Sequence, residues 1–286
     1  MLRTIMLTLF ITFAIVTAAC ADKGSLLRGP RPNVGDRKRL GIFDGNKTNI
    51  AKYPYLVSMV YEETVFNCPG VIVSEKWVVT TGTCGAIMGH DYQVIAGSQD
   101  SFHGQMYTVE NVVIHPNATW FDYCYACIQI RGKFKWSKKV QPVKLPRSLP
   151  KVNTKMTVLG WGGDPTGFGG TQELETEGPQ DPLSQVLRQG MMRWISMEEC
   201  KKIYAPPTYN ISWNDRMACA YNKGKVTICD GDGGDPFVHN GVLYGAYLTM
   251  AMDDFCTEDA LPAILANFVP GTSWIREVTG AKYADE

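Results

Sequence analysis

Tyr55-Leu56-Val57-Ser58-Met59-Val60, Val71-Ile72-Val73 and Trp77-Val78-Val79-Thr80 are three short runs of β-branched and aromatic residues, set apart by turn formers. The same pattern returns in Tyr92-Gln93-Val94-Ile95, Tyr107-Thr108-Val109, Met156-Thr157-Val158-Leu159 and Val242-Leu243-Tyr244. Many short strands at close spacing point to an all-β sandwich or barrel. Only two stretches read as helical: one around Ser196 to Ile203, and the tail from Thr272 to Val278, with Ser273 or Thr272 as its N-cap.

The chain has 286 residues, 45% hydrophobic and 20% charged, which is globular composition for one domain or two small ones. Its 28 basic and 28 acidic residues cancel. That balance argues against nucleic acid as a partner, because no cationic excess is available to neutralise phosphates. A polyacidic or polybasic surface role is disfavoured on the same ground.

Residues 1–21 read as a secretory signal peptide: Arg3, an apolar run from Ile5 to Ala19, then the small-x-small pattern Ala19-Cys20-Ala21. The run falls short of the roughly 20 residues that cross a bilayer, and no comparable run follows, so no membrane span is expected. Residues 22–41 are rich in Gly, Pro and charge, include Arg37-Lys38-Arg39, and read as an exposed pro-segment. Gly162 to Pro182, rich in Gly, Pro and acids, reads as a long surface loop. Asn46, Asn117 and Asn210 open Asn-x-Ser/Thr sequons and are candidate glycan sites in a secreted chain.

Secretion sets the meaning of the cysteines. Loss of Cys20 with the signal leaves Cys68, Cys84, Cys124, Cys127, Cys200, Cys219, Cys229 and Cys256. In an oxidising compartment these point to a disulfide framework rather than a zinc site, since His90, His103, His115 and His239 do not fall at finger-like spacing. No metal or cofactor is expected.

Four segments, in order, resemble the chymotrypsin-trypsin family of serine proteases. They are Ile42-Phe43-Asp44-Gly45, Cys68 through Trp77 to Thr81-Gly82-Thr83-Cys84, Gly160-Trp161-Gly162, and Cys229-Asp230-Gly231-Asp232-Gly233-Gly234-Asp235-Pro236. Ser273-Trp274-Ile275 matches the family's C-terminal helix. The resemblance implies a domain over residues 42–286, built of two six-stranded antiparallel β-barrels with a cleft between them and a C-terminal helix.

The pattern breaks at the residues that carry the chemistry. The family's histidine base stands before the second cysteine of a Thr-Ala-Ala-His-Cys block, and here Thr83 has that place. Threonine cannot accept and return a proton near neutral pH. The serine of Gly-Asp-Ser-Gly-Gly-Pro falls on Gly233, which has no side chain to attack with. The aspartate that opens an Asp-Ile-Ala-Leu strand falls on Cys124, with Asp122 the nearest substitute. Removing such a triad costs on the order of a millionfold in turnover.

Two further departures concern activation and specificity. The family's new amino terminus is an isoleucine that pairs with the aspartate matched by Asp232. Cleavage after Arg39 would instead leave Leu40-Gly41-Ile42, two residues too long, which implies a zymogen-like cleft. At the specificity pocket, Thr227 takes the basal position, pocket-wall glycines fall on Met250 and Ala263, and Leu248-Thr249-Met250 replaces Ser-Trp-Gly. Selection for Arg or Lys is therefore not expected.

By the same matching, Cys68 pairs with Cys84, Cys200 with Cys219 and Cys229 with Cys256. Cys124 and Cys127 are left over. Three residues apart on a strand they sit near 10 Å and face opposite ways, which favours buried thiols or an intermolecular bridge over a bond between them.

The resemblance and its losses imply a secreted, non-catalytic serine protease homologue that binds extracellular proteins, other proteases or protease homologues among them. It is similar to insect members associated with immune protease cascades and with seminal fluid. The competing enzyme reading is an active serine-type endopeptidase that recruits His90, Cys124, Ser184 or Ser212, none of which has a base at motif spacing. A third reading is a carrier that holds a small apolar ligand behind Met250.

Overall fold

A computed structural model of the chain describes residues 42–62, 65–119, 121–162, 186–205, 211–229, 232–249 and 259–286, with side chains described throughout except at residues 65–67. The signal-peptide and pro-segment readings, most of the Gly162–Pro182 loop, Ser184, Asn210, Met250 and Cys256 lie outside the described residues.

The strands in chain order are β1 (Asn46–Lys47), β2 (Leu56–Tyr61), β3 (Val65–Ile72), β4 (Trp77–Thr81), β5 (Tyr92–Ala96), β6 (Gln105–Ile114) and β7 (Tyr125–Ile130). There follow β8 (Lys155–Gly160), β9 (Arg188–Ile195), β10 (Met217–Tyr221), β11 (Pro236–His239), β12 (Val242–Thr249) and β13 (Ala263–Asn267). The helices are α1 (Gly82–Ile87), α2 (Met197–Ile203) and α3 (Phe268–Thr279). Strands β2-β3-β4-β7-β6-β5 close one antiparallel barrel. Strands β9-β10-β13-β12-β11-β8 close the second through the β8–β9 pairing, and β1 adds to the outside of β9. The architecture is that of two six-stranded barrels with a C-terminal helix.

The apolar runs are continuous rather than alternating because both faces of several strands are buried. In β7, Ala126, Ile128 and Ile130 point into the first barrel with Val57, Met59 and Val94. Tyr125 and Cys127 point the other way, into a cluster shared with Leu159, Trp161, Leu243 and Phe268 of the second barrel and α3. The two-residue period of a strand thus assigns one set of side chains to a barrel interior and the other to the seam between barrels. The second barrel has its own core around Met156, Val158, Trp194, Phe237 and Leu265.

The seam is fastened at Tyr125. Its hydroxyl donates to the Asn267 carbonyl at 2.8 Å, and its ring lies so close to Gly271 that a Cβ there would meet ring carbon at 2.7 Å. Helix α3 begins at Phe268, ahead of the Thr272 start read from sequence, and its N-cap is Asn267, whose side chain accepts from the Val269 N–H at 3.2 Å. The Pro270-Gly271 pair looks like a breaker, yet a proline in the first turn gives up only an N–H that has no intrahelical acceptor. Helix α2 does start at the Ser196 cap.

Disulfides Cys68–Cys84 and Cys200–Cys219 form with Cα separations of 6.0 and 6.2 Å, tying β3 to α1 and α2 to β10. Each contributes about 2–4 kcal/mol by restricting the unfolded chain. Cys229 is disulfide-bonded as well. Among the described residues no helix is long and apolar enough to cross a membrane.

Candidate functional site

Strand β4 delivers Thr83 to the groove between the barrels. It ends at Thr81, which caps α1 by accepting from the Cys84 N–H at 3.4 Å. The half-buried Thr83 hydroxyl lies 2.9 Å from that of Thr81. The next residue, Cys84, places its sulfur 3.4 Å from the Gly233 carbonyl oxygen, so the segment of Thr83 touches that of Gly233 across the groove. In front of Gly233 the space is open among the described residues: apart from its chain neighbours, none places a heavy atom within 4 Å of the point a Cβ would occupy. Gly234 behind it has φ +92°, and a Cβ there would come within 3.0 Å of both Cys84 Sγ and Thr80 Oγ1. That position requires glycine.

Cys124 precedes β7 on the same side. It is 2% exposed and sits in an apolar cluster with Ala86, Ile114, Ala118 and Leu248. Gly82, next to Thr83, lies against it, where a Cβ would be 3.2 Å from the sulfur. Thr83, Cys124 and Gly233 thus lie on neighbouring segments, linked through Gly82 against Cys124 and through Cys84 against Gly233. Cys127 sits on the opposite face of β7 in the seam, and both cysteines are buried outside any disulfide. Burial pushes the Cys127 thiol well up, so it stays protonated.

Behind Gly233 the second barrel holds a pair of carboxyl groups. Asp232 and Asp235 are both 0% exposed. Asp232 accepts from the Cys229 N–H at 2.9 Å through Oδ2. The Asp235 carboxyl presses on the backbone of Gly160, where a Cβ would come within 2.1 Å of its oxygen. Burial, then the charge of Asp232 and a hydrogen bond to it, raise Asp235 well above the ordinary carboxylate range. Neither Asp235 oxygen meets a hydrogen-bond donor among the described residues, which, like its burial, favours the neutral acid there. The sequence signal was an acid in the place of the second glycine of Gly-Asp-Ser-Gly-Gly-Pro, which reading for the nucleophile alone passes over.

No imidazole reaches these groups. The ring nitrogens of the four histidines bond elsewhere: His90 to the Val109 carbonyl at 3.2 Å, His103 to Asp100 at 3.1 Å, His115 to the Asn117 N–H at 3.2 Å, and His239 to the Lys155 carbonyl at 2.8 Å. His115 stacks on Tyr123 at 4.5 Å and meets Trp274 edge-on at 4.8 Å; burial lowers its pKa, partly opposed by Asp122. Asp122 forms a fork with Arg216 of the second barrel, through Nε to Oδ1 and Nη2 to Oδ2 at 3.2 Å. That guanidinium lies 4.3 Å over the Tyr123 ring and is held firmly charged by Asp122. The fork fastens the barrels beside Cys124 and leaves Asp122 no role at Thr83. Ser212 is exposed.

Of the pocket residues, Thr227 is buried at 4% exposure, and its hydroxyl oxygen has no hydrogen-bond partner among the described residues. Ala263 is fully buried in the second-barrel core. Ile42 belongs to the same core, and Phe43 exchanges backbone bonds with Thr227 at 3.0 and 3.4 Å. Residues 42–43 dock on the second barrel through the apolar burial of Ile42 and the two backbone bonds of Phe43. Asn46 and Asn117 are both exposed.

Comparisons with known proteins agree with this architecture. The trypsin family model matches residues 42–275. Trypsin 5G1 of Aedes aegypti is 31% identical over 248 residues, covering 84% of this chain and 85% of that protein. Trypsin of Phaedon cochleariae is 26% identical over 273 residues, covering 92% and 98%. Among solved structures, neuropsin, a serine protease expressed in the limbic system of mouse brain, superposes with a TM-score of 0.66 at 24% identity over 82% of this chain and 98% of that one, a likeness of fold. The match over most of the chain, the double barrel and the disulfides together make this chain a member of the trypsin family of serine proteases.

Proposed function

We propose that the chain is a secreted, non-catalytic member of the trypsin family that acts by binding other proteins, as a cofactor or regulator in an extracellular protease network of immune or reproductive fluids. The observation that carries the reading is the open space in front of Gly233, where a nucleophile would stand and no side chain exists. Three features around it support the reading. Thr83 shares its hydroxyl with Thr81, Cys124 is enclosed by Leu248 and alanines, and no histidine nitrogen bonds a hydroxyl or thiol among the described residues. A triad needs a base that orients and deprotonates its nucleophile, and the described residues of this groove offer neither partner.

The disulfides and the exposure of Asn46 and Asn117 favour an extracellular glycoprotein over an intracellular one. The decisive measurement is labelling of the purified chain with a fluorophosphonate, together with turnover of mixed peptide substrates, before and after treatment with a trypsin-like activator. Neither labelling nor turnover is expected under either condition. Stoichiometric labelling would defeat the binding reading in favour of an endopeptidase with non-standard residues.

A further inference from the structure

The loop that follows β7 reads Arg131-Gly132-Lys133-Phe134-Lys135-Trp136-Ser137-Lys138-Lys139, and its five cationic residues are all exposed. The chain as a whole is neutral, so this density of charge is a local asymmetry rather than a reflection of composition. Lys133 pairs with Glu75 at 2.8 Å. Arg131, Lys135, Lys138 and Lys139 have no acidic partner among the described residues, and Lys76 adds a further cation beside Glu75.

The loop is held in shape by its own bonds. Arg131 N–H donates to the Thr108 carbonyl at 2.9 Å, Phe134 N–H to the Glu75 carbonyl at 2.8 Å, and Lys135 N–H to the Tyr107 hydroxyl at 3.0 Å. Ser137 and Val140 exchange bonds at 3.0 and 3.3 Å, and Gln141 donates to the Ser137 carbonyl at 2.9 Å. A charged surface fixed in this way loses little further entropy when it binds. Trp136 is 45% exposed and stacks on buried Phe134 at 6.2 Å with the rings 25° apart, so one part of its indole is packed and the rest is open to solvent.

We propose that residues 131–139 form a docking surface for a sulfated polysaccharide. Closely spaced cations match the regular negative charge of such a chain, whose association is driven by counter-ion release. A flat, half-exposed indole offers a face for a pyranose ring. A bilayer would call for an apolar side chain projecting from the surface, and a single-stranded nucleic acid for several successive rings. The preference for polysaccharide over nucleic acid also rests on the extracellular reading above. The surface lies at the far end of β7 from Cys124, about 23 Å along the strand, and is therefore independent of whatever the groove does.

The test is binding of the full chain to heparin, a sulfated polysaccharide, measured by calorimetry and by salt elution. Affinity is expected to fall with a log–log salt slope of about −3 to −5, by the polyelectrolyte relation. Triple replacement Lys135→Glu, Lys138→Glu, Lys139→Glu should weaken binding about tenfold or more and flatten that slope, with thermal unfolding unchanged, because all three side chains are exposed. Trp136→Ala should weaken it about threefold to tenfold and leave the slope alone. No binding at physiological salt, an unaffected triple variant, or equal binding to desulfated polymer, polyglutamate, phosphatidylserine vesicles or single-stranded DNA would each overturn the proposal. None of these results bears on the fluorophosphonate test, so failure here leaves the reading of the groove standing.

Discussion

Where the two barrels meet, they treat charge in opposite ways. On the first barrel, the position matched to the family's buried aspartate is Cys124; Leu248, matched to a serine, reaches it from β12 of the second barrel, and the two touch in an apolar cluster. On the second barrel, one buried aspartate has become two, Asp232 and Asp235, both fully enclosed. The contrast shows what a buried carboxyl group needs. Without an imidazole to bear the opposite charge, a carboxylate beside Thr83 would have no partner, and sulfur against leucine costs nothing in solvation. Two adjacent acids are tolerable because one can keep a proton and donate it to the other.

The sharpest way to break the comparison is to put the charge back. Cys124→Asp should destabilise the fold by about 3–5 kcal/mol, read from urea unfolding, because the new carboxylate is enclosed and unpaired. Adding Leu248→Ser should recover part of that loss by supplying a hydroxyl. If Cys124→Asp unfolds like the parent, the cluster around Cys124 is wetter than its 2% exposure implies.

On the other barrel, Gly160→Ala thrusts a methyl group into the Asp235 carboxyl and should cost about 1–3 kcal/mol. Asp235→Gly in the Gly160→Ala background should restore most of it, and a double-mutant cycle with no coupling would show that the two positions do not touch.

The proton on Asp235 has a signature in pH. Its folded pKa is raised above the unfolded value near 4, so between those two values the folded state holds a proton that the unfolded chain has released. Stability is therefore greatest below about pH 4 as far as this group is concerned, and falls by about 1.4 kcal/mol per pH unit as pH rises towards the folded pKa. Asp235→Asn keeps a donor for Asp232 and should remove that decline, leaving a flatter stability–pH curve by thermal melting. An unchanged curve would mean that the pair is not sharing a proton.

The smallest effect belongs to the residue beside Cys124 that faces the other way. Tyr125→Phe loses the bond to Asn267 and should cost about 1 kcal/mol, with the α3 amides next to Asn267 exchanging faster. No change in that exchange would place the seam's rigidity elsewhere.

Much of this was legible in the chain itself. The β runs at Tyr55, Val71, Trp77 and Met156 landed in strands, since short buried strands announce themselves by composition. Thr83 and Gly233 are named by their offset within the Cys84 and Cys229 motifs, and Cys124 by counting back from Val140 and Leu145-Pro146. Helix α3 was begun too late because Pro270 and Gly271 carry a local signal that the first helical turn overrides. The consequence of Asp235 is not legible in the sequence, since it depends on Gly160, which is far away in sequence and adjacent in space.

Local periodicity in the sequence determined the short β-strands, and the ordered motifs, through the family they resemble, carried the barrel pair and two disulfide pairings. Only the tertiary structure decided that Asp232 and Asp235 share one enclosure, that Leu248 closes over Cys124, that Arg216 holds Asp122 away from Thr83, and that residues 42–43 dock on Thr227. All but the first are contacts between segments distant along the chain, and the first depends on the Gly160 backbone that encloses Asp235. Solvation and electrostatic energies depend on which groups become neighbours after burial, and that is set by how the barrels pack.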